Sequence, residues 1–204
     1  MKALIIVDIQ NDFLKGGSLA VPDGNAIIPV INKILPVFDI LIYTKDWHPA
    51  NHKSFASNHK EKNVYDVVDL KGISQVLWPD HCIQNTFGAE FHKDLIISGK
   101  NTYYIFKGTD PNVDSYSAFF DNKKIHDTGL NKLLKEKNID EVYICGLSTD
   151  YCVKYTAIDA IELNYNTYIV ADATKAVNIN PDDYEKSLEE LKNIGVKIIF
   201  SKNL

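Results

Sequence analysis

The sequence predicts an α/β fold, a doubly wound parallel sheet with helices on both faces. Three observations carry that expectation. Short β-rich apolar runs alternate with helical stretches along most of the chain, as they do where parallel strands are joined by crossover helices. The final helical stretch carries its own start and stop signals, and reactive side chains recur just past the ends of the strands.

Residues 3–8, 38–44, 102–107, 141–145, 167–171 and 196–200 read as strands. Residues 25–36, 126–138, 149–164 and 181–194 read as helices, with Leu130, Leu133 and Leu134, or Leu188, Leu191 and Ile194, at three-to-four spacing. Asn180 reads as the N-cap of the last helix, Pro181 as its first position and Gly195 as its stop. Residues 46–100 break the pattern. They are rich in His, Asn, Lys and Pro and too long for an ordinary connection. They read as an insertion that lies over the sheet as a lid within one domain spanning 1–204.

Composition bounds the partners. The chain has 204 residues, 45% hydrophobic and 24% charged, with a formal net charge of -5. It can bury a real core, which excludes disorder as its dominant state. It has no basic block, so the electrostatic footprint of a nucleic-acid or anionic-membrane binder is missing. No apolar run approaches the ~18 residues of a membrane span, and the first apolar run ends in Asp8 rather than a cleavage site. A cytoplasmic protein with a small-molecule partner is the expectation. A homo-oligomer is left open. Cys82, Cys145 and Cys152 lack the spacings of a zinc ribbon or a disulfide framework, so all three read as free thiols.

In open α/β sheets, ligands bind outside the carboxyl ends of the strands. Asp8 closes the first strand, Asp46-Trp47-His48 follows the second, Lys107-Gly108 ends the third, and Cys152 opens the helix after the fourth. A cysteine in the first turn of a helix gains from free N–H groups and the helix dipole. Lys107 can set an ammonium beside it, and Asp8 can move a proton. For each residue alone a structural role competes: a buried cysteine, a loop-capping aspartate, a solvated lysine. Asp46 and His48, two apart, can face one way on an extended segment, and His81 completes one carboxylate and two imidazoles, a set that suits Zn, Fe or Mn. His52, four residues after His48, reads as a fourth ligand or an outer-shell group. His59, His92 and His126 read as solvated loop histidines.

The segments VDIQNDF at 7–13, TKDWHPANHKSF at 44–55, WPDHC at 78–82, KG at 107–108, DSYSAFF at 114–120 and GLSTDYCV at 146–153 resemble the nicotinamidase (pyrazinamidase) branch of the isochorismatase-like cysteine hydrolases. The resemblance runs in order from Met1 to about Asp172. It implies a Rossmann-like, mostly parallel six-stranded sheet and hydrolysis of nicotinamide to nicotinate and ammonia in NAD salvage. It implies Cys152 as nucleophile, Asp8 as proton-transferring acid/base and Lys107 as the cation beside the thiolate. Asp46, His48 and His81 would hold one divalent metal ion, zinc before Fe or Mn, that coordinates the pyridine nitrogen. Phe13 and Trp78 fall where the family has aromatic walls, and the resemblance implies Leu147 as a third substrate-binding residue. Leu147-Ser148 corresponds to a cis peptide beside an oxyanion hole built from the N–H groups of Ser148 and Cys152. Leu14 stands where many relatives have Cys, and Ser148 where many have Ala, which bears on the range of amides accepted.

Three other readings compete. A relative acting on another small amide or on isochorismate would share the sheet, but such relatives generally lack the metal set. A mononuclear iron oxygenase could use Asp46, His48 and His81 as its facial triad. A non-catalytic binding module could use the same fold. The first strand-to-helix turn has no G-x-G-x-x-G, so dinucleotide binding is weaker still.

Overall fold

A computed structural model describes residues 1–70, 72–97, 99 and 101–204. Its main sheet has six strands: β1 (Lys2–Val7), β2 (Ile40–Asp46), β5 (Thr102–Lys107), β6 (Glu141–Leu147), β7 (Asn166–Lys175) and β8 (Lys197–Ile199). They lie in the order β5-β2-β1-β6-β7-β8 with every neighbouring pair parallel. A separate antiparallel pair, β3 (Val67–Asp69) and β4 (Ser74–Val76), belongs to the insertion.

The pleat of β1 explains the two layers. Leu4 and Ile6 face one core, packed with Ile27, Ile31 and Ile34 of the segment containing α1 (Ile28–Ile34). Ala3, Ile5 and Val7 face the other, packed with Leu130 and Leu134 of α2 (Leu130–Glu136), Ala157 and Ala160 of α3 (Lys154–Glu162), and Leu191 of α4 (Asp183–Asn193). A strand apolar on both sides is what a sheet covered on both faces requires. No helix among the described residues is long and apolar enough to cross a membrane.

Several boundaries differ from the sequence reading for identifiable reasons. The stretch 25–36 is α-helical only over Ile28–Ile34, flanked by 3-10 turns, because Pro29 suits a first turn and Pro36 cannot continue one. The helix expected from residue 126 starts at Leu130, since Asp121 collects the N–H groups of Lys123, Ile125 and His126 and holds that segment in a turn. Asn180 is not the N-cap of α4. Asp183 accepts from the Asn180 backbone N–H at 2.8 Å, and the helix begins there after a left-handed Asp182. Gly195 does end that helix, at φ +100°. β2 starts two residues later than expected and runs on to Asp46, and β7 extends to Lys175 past a register shift opposite Ile144 and Gly146.

The insertion is held mainly by backbone bonds. Ala56 N–H donates to Trp78 at 2.9 Å and Trp78 N–H to Ser54 at 2.8 Å. His48 N–H donates to Cys82 at 3.1 Å and Gln84 N–H to His48 at 2.9 Å. These bonds lay the Trp78–Cys82 segment beside the end of β2.

Candidate active site

Four adjacent strands deliver four reactive side chains to one edge of the sheet. Asp8 follows β1, Asp46 and Lys107 end β2 and β5, and Cys152 lies in a π-helical turn (Thr149–Val153) after β6. All four are nearly inaccessible. The turn is built around the Ser148 carbonyl, which accepts from Tyr151 N–H at 3.2 Å and Val153 N–H at 3.0 Å. Thr149 and Thr174 share a hydroxyl hydrogen bond of 2.7 Å, and the Asp150 carboxylate accepts from Val177 N–H at 3.0 Å and Asn178 N–H at 2.9 Å. Wide turns of this kind often mark functional positions.

The Lys107 ammonium is the hub. It donates to Asp46 Oδ1, to the Ser115 carbonyl at 3.1 Å and to Cys152 Sγ at 3.3 Å, and its nitrogen lies 2.8 Å from Asp8 Oδ2. Thr44 Oγ1 donates to Asp8 Oδ1 at 2.5 Å and accepts from Asp8 N–H at 3.1 Å, which fixes that carboxylate. Burial opposes the charge on Lys107, but Asp46 and Asp8 outweigh it and hold the ammonium protonated. Burial pushes Asp8 up to about 6, against the pull of Lys107. Burial would also raise Asp46, yet Lys107 and His48 keep it well below the usual carboxylate range.

Cys152 is under opposing influences. Burial pushes its thiol well up, Lys107 pulls it down, and Asp8 and Asp46 push it up again. Lys107 is shared with two carboxylates, so it only partly offsets the burial of the thiol. Asp8, Asp46 and Cys152 hold ligand atoms within 4.8 Å of one another.

On the far side of Asp46 lies a set suited to a cation. His48 Nδ1 is 2.8 Å from the Gly108 carbonyl and His81 Nδ1 is 2.8 Å from the Pro79 carbonyl. A carbonyl only accepts, so both Nδ1 atoms carry hydrogen and both rings turn Nε2 inward, 3.5 and 3.7 Å from Asp46 Oδ2. His48 Nε2 is buried without a hydrogen-bond partner. The ligand atoms of Asp46, His48 and His81 lie within 4.8 Å of one another. Imidazoles oriented by backbone carbonyls around one carboxylate fit a divalent metal with open positions.

His52 is placed differently. Its ring lies 4.3 Å from that of His48, and its Nδ1 accepts from Ser54 N–H at 3.2 Å beside Ser54 Oγ at 2.7 Å. His52 Nε2, like His48 Nε2, is buried without a hydrogen-bond partner, and the ligand atoms of His48, His52 and Asp114 lie within 4.8 Å of one another. Burial lowers the His52 pKa to about 4, in keeping with a neutral ring.

Between these groups lies a cavity of about 30 Å³ lined by Phe13, Leu19, Asp46, Trp78, His81, Asp114, Tyr116, Ser148, Tyr151, Cys152 and Val177. Phe13 and Trp78 are thus walls of the cavity. Leu147 is not: its side chain packs in the core against Gly24, and only its neighbour Ser148 reaches the space. The Leu147-Ser148 peptide is cis. Sequence reasoning passed over Asp114, Tyr116 and Tyr151, although DSYS and TDYC were already singled out. Tyr116 Oη accepts from Trp78 Nε1–H at 3.2 Å and Gln75 Nε2–H at 3.0 Å, which sets the Trp78 wall.

Residues 2–202 match the isochorismatase domain. The chain is 46% identical over 202 residues to the nicotinamidase of Acinetobacter baylyi, covering 99% of this chain and 94% of that one. The yeast nicotinamidase bound to the inhibitor nicotinaldehyde superposes with a TM-score of 0.93 at 36% identity, covering 98% of this chain and 100% of that one. The pyrazinamidase of Pyrococcus horikoshii in complex with zinc has a TM-score of 0.80 at 38% identity, covering 98% of each chain.

Proposed function

This chain belongs to the isochorismatase family, and from that premise we propose that it is a nicotinamidase. It hydrolyses nicotinamide to nicotinate and ammonia as a cytoplasmic enzyme of NAD salvage. Pyrazinamide, which keeps the carboxamide and a ring nitrogen in the same relation, is a second substrate. The observation that carries the reading is the Lys107 hub, which joins Cys152 and Asp8 on one side to the Asp46, His48 and His81 set on the other.

The chemistry follows from the groups present. As Cys152 Sγ attacks the carboxamide carbon, Asp8 takes the thiol proton and the Lys107 ammonium balances the charge that develops on sulfur. The N–H groups of Ser148 and Cys152 receive the oxyanion. Asp8 then returns its proton to the amide nitrogen, the C–N bond breaks, and ammonia leaves a thioester behind. Asp8, again a carboxylate, takes a proton from a water that attacks the thioester, and nicotinate departs as the thiol reforms. Asp46, His48 and His81 would hold a divalent metal, zinc by preference, which supplies an acceptor for the pyridine nitrogen lone pair and so orients the ring. Phe13 and Trp78 confine the ring. Leu19, Tyr151 and Val177 line the same cavity. Residues 46–100 act as the lid of this single domain.

Hydroxylamine tests the covalent step. A thioester partitions to it, so turnover of nicotinamide with hydroxylamine present yields nicotinohydroxamate in proportion to the nucleophile added. Formation of nicotinate alone at every hydroxylamine concentration would speak for direct attack by water.

A further inference from the structure

The segment after β1 does more than present Asp8. Gln10 is fully buried, and its side-chain amide is used completely on backbone groups. Its Oε1 accepts from Asp46 N–H at 2.8 Å, and its Nε2 donates to the Asp46 carbonyl at 2.8 Å and the Ala89 carbonyl at 3.0 Å. The side chain thus pairs with Asp46 as a neighbouring strand would, just where β2 ends. Two residues on, Asp12 Oδ2 accepts from Cys82 N–H at 2.7 Å, beside His81, at a residue held at φ +46°. Room for that carboxylate is left by Gly88, where a Cβ would lie 1.9 Å from Asp12 Oδ2. Phe13 completes the contact, with its ring 5.4 Å from that of His81.

We infer that Gln10 and Asp12 are positioning residues for the metal set, each fixing the backbone of one ligand-bearing segment and so tuning cation affinity from the same loop that carries Asp8. The inference rests on the reading of Asp46, His48 and His81 as metal ligands. A hydrogen bond to a neutral amide carries no charge to the metal. The effect is geometric: without Gln10 the Asp46 peptide is free to rotate, and without Asp12 the Cys82 N–H is unpaired and the left-handed turn that aims His81 loses its anchor. Neither side chain touches the cavity, so the loss should be one of metal occupancy and not of chemistry.

The test is zinc affinity by chelator competition on the full-length protein, with thermal unfolding of each metal-free variant to establish folding. Gln10→Met and Asp12→Ala are expected to weaken zinc binding about tenfold or more, the range typical of groups that orient ligands, and to lose kcat/KM that saturating zinc restores. Asp12→Asn keeps an acceptor for Cys82 N–H and should stay within about threefold of wild type. A purely structural role would lower the unfolding temperature with no zinc-rescuable defect. Zinc affinities of folded Gln10→Met and Asp12→Ala equal to wild type, while Asp46→Ala loses zinc, would overturn the inference and leave the metal reading standing. Unchanged zinc binding in Asp46→Ala would overturn the metal reading itself. Should Gln10→Met not fold, Gln10→Glu, which keeps the acceptor for Asp46 N–H and loses both donors, is judged on the same criterion.

Discussion

Asp46 and Lys107 are register partners at the carboxyl ends of β2 and β5, and their side chains form a buried ion pair there. The pair divides one edge of the sheet into two functions. Lys107 turns its remaining donors toward Cys152 and Ser115 and lies beside Asp8, while Asp46 turns its second oxygen toward His48 and His81. Stranding one partner of such a pair is costly because the charge left behind is buried, so the two halves of the site are built to stand or fall together.

Cys152→Ala should abolish nicotinamide turnover while leaving folding intact. The side chain removed is small, so the unfolding temperature should move by no more than a few degrees. Turnover at the wild-type rate by a folded, zinc-loaded variant would remove Cys152 from the mechanism.

The pH dependence of kcat/KM should report Asp8. Its pKa is raised to about 6, so below that pH it holds a proton and cannot take the one on Cys152. Activity should therefore rise with pH through an apparent value of about 6. A rising limb centred near the ordinary carboxylate value would contradict a base held at about 6 by burial.

His81→Ala should cost zinc affinity and raise KM for nicotinamide. His81 offers one of the two Nε2 atoms facing Asp46 Oδ2, and removing one of three ligands weakens any divalent site. Elemental analysis of the purified variant checks this, and an unchanged zinc content would take His81 out of the ligand set.

Gly108→Ala should damage both folding and metal binding. Gly108 sits at φ +65°, and a Cβ there would lie 2.3 Å from His48 Cε1. The backbone strain alone costs about 1–2 kcal/mol, and the clash pushes the His48 ring away from the carbonyl that orients it. Urea unfolding with a zinc assay on the same preparation separates the two effects. Wild-type values in both would mean that the Gly108 turn is far softer than its packing implies.

Much of this site was legible because parallel strands sort reactive residues to one edge. Asp8, Asp46, Lys107 and Cys152 each follow an apolar run, and the sheet order makes those runs neighbours. What the sequence hid depends on packing across long separations. Gln10 and Asp12 lie in a motif already noted, but their roles appear only once Asp46 and Cys82 are folded against them. That Lys107 is shared between Cys152 and two carboxylates is likewise visible only in the folded site. Leu147 was assigned to the substrate space by its place in a motif, whereas the backbone there turns Ser148 toward the cavity and Leu147 toward Gly24. The helix boundaries slipped where side chains such as Asp121 and Asp183 captured backbone N–H groups ahead of the first turn.

The most direct measurement is ammonia release from nicotinamide by the purified protein, before and after treatment with a chelator, with pyrazinamide, isochorismate and other small amides run beside it. Rapid release from nicotinamide that a chelator removes and zinc restores is the result expected. A folded, zinc-loaded protein that releases no ammonia from nicotinamide would contradict the assignment and move the substrate to another amide or to a vinyl ether, with Ser148 at the cavity wall the first residue to examine.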